Sequence, residues 1–385
     1  MYKLCVTLPP FSPDYSGVCS ALFELGGLLV IHDASGCTGN YTGYDEPRWY
    51  GSSSMVYCSS LREIDAVMGD DEKLVKKIAI AAKELLPKFI VILGSPVPMV
   101  IGSDLFGIAA EVEACTGIPS FGFATTGLEY YDKGIGDAFL TIAKKFVKKS
   151  EKKEKAINLL GTTPLDFSLN GDVEEFRRLF ENAGYRVVSD FIMHSSLDDI
   201  TKSACVSANV VVSASGLTLA KWFEKNHGIP YIVGTPVNGY TQEILHMLDI
   251  CIETGESQFL EYANNEKKNV FIMHDQIIGN ALRQSLSAVR GVTGIDVGTA
   301  FGFDSKMAAV GDRCLSSERL IAEAVNSGYQ AIVADPLVKS LIKEPEKIQF
   351  IPLPHVAISS KLYWDTTPSL CSDYLIEEIK AALAV

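Results

Sequence analysis

The cysteines carry the most informative chemistry in this 385-residue chain. An apolar run, Leu28-Leu29-Val30-Ile31, reads as a strand that ends in His32-Asp33-Ala34-Ser35-Gly36-Cys37. A strand end followed by a turn of small residues sets Cys37 at the carboxyl edge of a parallel sheet. There a thiolate and free backbone amides can meet an iron–sulfur cluster, the thiolate as ligand and the amides tuning its potential. Cys19, which the sequence puts at the start of a helical segment, and Cys58 are the further candidate ligands. Cys19 is followed by Ser20-Ala21-Leu22, so it reads equally well as a small buried hydrophobe. The nine cysteines are scattered and odd in number. No pair has C-x-x-C spacing, which argues against a zinc ribbon or a thioredoxin-like site. Cysteines that bind a cluster here must converge from distant positions or from two subunits. Cys115, Cys205, Cys251, Cys314 and Cys371 carry no assigned role.

Three other places draw attention. His355 follows a strand in Ile351-Pro352-Leu353-Pro354-His355, where it could touch a ligand or donate a proton. A histidine satisfied by a neighbouring carbonyl is the competing reading. Ser213, Ala214, Ser215 and Gly216 lie between a strand and a helix. Their small side chains and amides could receive an anion such as a carboxylate, or form an ordinary helix N-cap. Tyr41, Tyr44, Arg48, Trp49 and Tyr50 suit a dimer or docking interface, or a loop packed on its own domain.

Several functions are excluded. There is no G-x-x-x-x-G-K-[ST], no G-x-G-x-x-G after a strand, no H-E-x-x-H and no G-x-S-x-G. A formal net charge of −13 gives no basic footprint for nucleic acid. The lysine-rich stretch from Lys144 to Lys155 is interrupted by Glu151 and Glu154, and reads as a solvated helix end and linker. No apolar run reaches the ~18 residues of a membrane helix. The first residues lack a signal-peptide layout, so a cytoplasmic location is expected.

The elements that must position these residues form a repeating pattern. Candidate strands are 28–32, 89–93, 157–161, 186–191, 209–213, 269–273, 330–334 and 348–352. Helical segments lie between them. Asp71 to Leu86 is one, capped by Asp70 and apolar at Leu74, Ile78, Ala81 and Leu85. Apolar strands alternating with helices predict an α/β fold of three doubly wound, parallel-sheet, Rossmann-like domains, at 1–154, 155–265 and 266–385.

The strand-His-x-x-x-Gly-Cys turn resembles a signature of the nitrogenase component 1 type oxidoreductase family. So do Ser59-Ser60-Leu61-Arg62-Glu63-Ile64-Asp65-Ala66-Val67-Met68-Gly69-Asp70, Val100-Ile101-Gly102-Ser103-Asp104-Leu105 and Ile157-Asn158-Leu159-Leu160-Gly161. Gly228-Ile229-Pro230-Tyr231 and Asp335-Pro336 follow in the same order. The resemblance implies a three-domain component that pairs with a like or similar subunit around an interface iron–sulfur cluster. It implies a separate ATP-dependent iron–sulfur reductase as electron donor, and a substrate or cofactor held between domains. The chain departs from the pattern at three places. Phe11 or Ser12 and Pro96 stand where cluster cysteines are usual, and Val212 or Ser213 where a cofactor cysteine is. With Cys37 and either Cys19 or Cys58 from each of two copies, a homodimer would offer four thiolates, the number a four-iron cluster takes. Two alternatives stand beside this one. One is a scaffold or carrier for a metal cluster or tetrapyrrole without turnover; the other is a metal-free bilobal small-molecule-binding protein.

Overall fold

A computed structural model of the chain describes residues 5–260, 262 and 268–383. Three parallel sheets follow one another along it, rather than the two lobes of the bilobal alternative. Each apolar run read as a strand is one, to within two residues at either end.

The first sheet contains β1 (Leu28–Ile31), β2 (Met55–Cys58), β3 (Ile90–Leu93) and β4 (Ser120–Phe123), in the order β2-β1-β3-β4. Around it run α1 (Asp14–Leu22), α2 (Gly36–Asn40), α3 (Glu63–Met68), α4 (Asp71–Leu85), α5 (Pro96–Ile101), α6 (Leu105–Thr116) and α7 (Tyr131–Phe146). Asp70 caps α4 by accepting from the Lys73 amide, as its sequence suggests. The buried face of α4 carries Leu74, Val75, Ile78 and Ala82, while Ala81 and Leu85 are half-buried at its margin. The helix holding Cys19 begins at Asp14, so Cys19 falls in its second half and not at its start. Every residue of α1 is buried. It lies against α7 at a distance only glycine allows: a Cβ on Gly17 would stand 2.0 Å from the Tyr131 carbonyl oxygen.

The second sheet contains β5 (Ala156–Leu160), β6 (Arg186–Ser189), β7 (Ala208–Val211) and β8 (Tyr231–Val233), ordered β6-β5-β7-β8. Its helices include α8 (Pro164–Phe167), α9 (Asp172–Asn182), α10 (Leu197–Lys202), α11 (Leu217–His227) and α12 (Thr241–Thr254). The third sheet contains β9 (Val270–Met273), β10 (Ile295–Thr299), β11 (Arg313–Cys314), β12 (Ala331–Ala334) and β13 (Gln349–Pro352). Its order is β11-β10-β9-β12-β13, with α13 (Gln276–Arg290), α14 (Glu318–Val325), α15 (Val356–Ser359) and α16 (Asp373–Leu383). Residues 147–155 lead from the first sheet to the second. The boundary expected at 265 lies outside the described residues.

One contiguous apolar core runs through all three sheets, and a smaller one lies under α4 and α6. In each sheet the strand order reverses once, between β1 and β3, β5 and β7, and β9 and β12. Open α/β sheets bind ligands beyond the carboxyl ends of their strands at such reversals. Cys37, after β1, and the loop Ser213 to Gly216, after β7, fall at these points, whereas Cys19 lies within α1 and His355 follows the edge strand β13.

Candidate functional site

At the first reversal, the β1 turn bearing Cys37 is built around Asp33. The Asp33 carboxylate accepts from the amides of Cys37 at 2.9 Å and Thr38 at 3.2 Å, which opens α2. The Asp33 carbonyl accepts from the Cys58 thiol at 3.2 Å and the Leu61 amide at 2.8 Å. Because β2 runs parallel beside β1, with Ile31 opposite Cys58, both cysteines are held by one residue at one sheet edge, Cys37 through its amide and Cys58 through its thiol. Cys37 and Cys58 are each partly exposed. The Tyr15 and Ser95 hydroxyls lie beside the Cys37 sulfur and favour its thiolate, and Ser95 donates to the His32 carbonyl at 2.9 Å. Burial and then the Asp33 carboxylate raise the Cys37 thiol above its ordinary value, so the free chain keeps it protonated.

Cys19 does not join this pair. Its side chain is fully buried in the core, and burial pushes its thiol well up. The reading of Cys19 as a small buried hydrophobe describes its place. Ser12 donates to Asp45 at 3.1 Å, Phe11 packs on Tyr130 and Phe301, and Pro96 opens α5. Tyr15, three residues after Ser12, and Ser95, next to Pro96, supply the hydroxyls around Cys37 instead.

Apolar side chains stand exposed on both sides of the Cys37 turn. Val67 on α3 is 76% exposed, Val100 on α5 is 77% exposed, and Met68 and Phe106 are also open. These helices follow β2 and β3, the neighbours of β1, so they share its carboxyl edge. The aromatic stretch is split in its placement. Tyr41 and Arg48 are buried in their own fold, where Arg48 pairs with Glu46 at 2.7 Å, while Tyr44 and Tyr50 face outward.

A cavity of about 630 Å³ lies beside the same turn. Ser12, Tyr15, Asn40 and Gly127 line it from the first sheet's side, Ser360 and Lys361 from the third's. Tyr15 therefore reaches both this space and the Cys37 sulfur. Asp45 on its wall accepts from Ser12, Ser16 and Asn40, and burial raises its carboxyl to about 6.

The second and third reversals face each other across a sealed polar cluster. Asp275, directly after β9, accepts from the Ala214 amide at 3.0 Å and from Ile277 and Ile278. The loop Ser213 to Gly216 thus does receive a carboxylate, but it is the chain's own. Ser213 donates to the Gly161 carbonyl at 2.8 Å and contacts the Ser215 hydroxyl at 2.7 Å. Gly216 is a packing residue, because a Cβ there would stand 2.5 Å from the Leu160 carbonyl carbon. Asp166 meets the Tyr131 hydroxyl, and its carboxylate lies 3.4 Å from His355 Nε2.

His355 does not line the 630 Å³ cavity. Its ring is fully buried, Nδ1 accepts from the Ala357 amide at 3.2 Å, and it caps α15. It packs against His274 at 4.5 Å between ring centroids. Burial lowers His355 to about 3 and takes His274 well below its usual value, so both rings are neutral. Asp166 and Asp275 are both raised by burial, and Asp275 further by Asp166. Among the described residues, Asp166 Oδ2, His274 Nδ1 and His355 Nε2 have no hydrogen-bond partner.

Sequence reasoning misses Asp33, Tyr15, Ser95, His274, Asp275, Asp166 and Tyr131. One signal is available: His32-Asp33 and His274-Asp275 are the same dipeptide, each directly after the first strand of its sheet.

A family model, nitrogenase component 1 type oxidoreductase, matches residues 14–270. The chain belongs to this family. A solved nitrogenase Cp1 at pH 6.5 has the same fold, at a TM-score of 0.72 with 14% identity, over 100% of this chain and 94% of that one. Among curated relatives, the nitrogenase iron-molybdenum cofactor biosynthesis protein NifE of Clostridium pasteurianum is 31% identical over 213 residues. That match covers 53% of this chain and 45% of the relative. A light-independent protochlorophyllide reductase subunit of Nostoc punctiforme is 27% identical over 180 residues, 44% of this chain and 35% of that protein. The matched part spans half or less of these nitrogenase-family relatives. Among the described residues, no group of three or more His, Cys, Asp or Glu is placed to hold a metal, and no helix is long and apolar enough to cross a membrane.

Proposed function

We propose that this protein is a nitrogenase-like oxidoreductase component. In this reading it accepts electrons from a separate ATP-dependent iron–sulfur reductase, at an iron–sulfur cluster bridging two copies, and delivers them to a substrate held between its units. The observation that carries the reading is the anchoring of Cys37 and Cys58 on Asp33 at one exposed sheet edge. One chain supplies two thiols there, so a site of four needs the matching pair from a second copy. The exposed apolar residues of α3 and α5 flank that edge, and covering them would favour association.

A bound cluster would supply one-electron acceptance and release. The chain's own part is to place and ready the site. Asp33 fixes the two turns against each other, and the Tyr15 and Ser95 hydroxyls beside the Cys37 sulfur favour its thiolate. Loading must remove protons that burial and Asp33 favour, so it is coupled to proton release. The 630 Å³ cavity, one tyrosine away from Cys37, is the place for the substrate. A cytoplasmic setting, where thiols stay reduced, suits such a site.

A second reading, a scaffold or carrier for a metal cluster without turnover, is favoured by the relatives named as cofactor biosynthesis proteins. Both readings need the shared edge, and Val100→Glu tests it. The charge should leave a folded single chain and abolish iron uptake together with pairing. A Val100→Glu chain that loads iron as a monomer would refute the shared site. Turnover with an added reductase then separates the two readings.

A further inference from the structure

The edge of the second sheet carries a different kind of cavity. It measures about 760 Å³ and lies against β6, the outermost strand of that sheet. Its walls hold Lys148, Lys153, Arg177, Arg186 and Lys202, against Glu151 and Asp199. That concentration of positive charge stands out in a chain of net charge −13. In sequence, Lys148 and Lys153 belong to a linker interrupted by glutamates. Folding brings them to cations from three other segments. The linker backbone is pinned in place, with the Lys148 amide donating to Thr201 at 3.2 Å and the Lys153 amide to Cys205 at 2.7 Å.

Little of this charge is neutralised internally. Arg177 is held by Asp190 at 2.9 Å, which fixes its position. The Asp199 carboxylate is committed to capping α10 through Ser196. Among the described residues, the side chains of Lys148, Lys153, Arg186 and Lys202 have no hydrogen bond or ion pair, and Glu151 is the only uncommitted carboxylate on the lining. Val187, Val188 and the buried Cys205 add an apolar surface to the same space.

We propose that this cavity binds an organic polyanion, a molecule carrying about three or more phosphate or carboxylate charges on an apolar body. The cations converge from a pinned linker, a strand, a helix and a helix end, so the backbone that carries them is set before the ligand arrives. A fixed backbone leaves only the side chains to be ordered on binding. The apolar surface favours a ligand with a ring or base over inorganic phosphate. The site is separate from the Cys37 edge, and its test does not depend on cluster content.

The test is calorimetric titration of the full chain with two probes, ATP and benzene-1,3,5-tricarboxylate, at low and moderate salt. At least one should bind, and which one binds tells a phosphate ligand from a carboxylate one. Two variants, Arg186→Glu with Lys202→Glu and Lys148→Glu with Lys153→Glu, should each weaken it by at least about tenfold. They alter different segments of the lining, so misfolding of one leaves the other informative. Lys83→Glu, an exposed change on α4, should leave affinity within about twofold. The bound probe should also protect Lys148, Lys153 and Lys202, but not Lys83, from acetylation read by mass spectrometry. Failure of both probes to bind overturns the proposal. So does an equal loss in Lys83→Glu, or protection spread evenly over the chain's lysines.

Discussion

Replacing His355 tests the sealed junction between the second and third sheets. His355 is fully buried and its folded pKa is lowered to about 3, against an ordinary value of 6.5. The sign follows from proton counts. Below pH 6.5 the unfolded chain binds a proton that the folded chain refuses, so stability falls as pH falls. Between pH 7 and pH 5 this one ring removes about 2 kcal/mol, and the loss continues towards its folded pKa. His355→Asn keeps an acceptor near the position of Nδ1, which receives the Ala357 amide, and it deletes the titrating group. The smaller side chain leaves a void and costs about 1–3 kcal/mol at pH 7. The variant is therefore less stable at pH 7, and its deficit should shrink by about 2 kcal/mol at pH 5. Urea unfolding followed by fluorescence at pH 7, 6 and 5 measures both curves. The raised carboxyls Asp166 and Asp275 remain in both proteins, so they largely cancel in the difference. Parallel curves across the three pH values would refute the neutral buried imidazole.

Three further predictions concern the first sheet. Asp45 is raised to about 6, so folding favours its protonated form and stability falls as pH rises from about 4 to 6. Asp45→Asn should remove up to about 3 kcal/mol of that fall, read from the same unfolding series. Arg48→Ala should cost about 3–5 kcal/mol, because it strands the fully buried Glu46; a melting temperature within a degree or two of the parent would contradict this. Asp33→Asn removes a charge that raises the Cys37 thiol, so alkylation of Cys37 by iodoacetamide near pH 8 should speed up severalfold.

Much of the architecture is legible in the sequence because buried parallel strands are written as apolar runs. Leu28-Leu29-Val30-Ile31 and Ile90-Val91-Ile92-Leu93 need no context to be read. Met55–Cys58 and Ile295–Thr299 escape that reading, since the first is only half-buried and the second carries Asp296 and Gly298. At the site, Cys37 and Cys58 are visible as thiols, but their common anchor on Asp33 depends on two strands 27 positions apart lying side by side, Ile31 opposite Cys58. Cys19 misleads in isolation: its burial comes from the glycine-mediated approach of α1 and α7, and a single thiol carries no trace of that contact. Likewise, the Ser213 loop looks open to an anion in sequence because its occupant, Asp275, lies 61 residues away.

The central claim is a cluster held at the Cys37 edge between two copies. Purification without oxygen, with iron, acid-labile sulfide and absolute mass measured on one sample, tests it directly. The account predicts a two-chain species with about four irons and four sulfides, both lost in Cys37→Ala. An iron-free parent after anaerobic reconstitution, or a Cys37→Ala variant with unchanged iron, would contradict it.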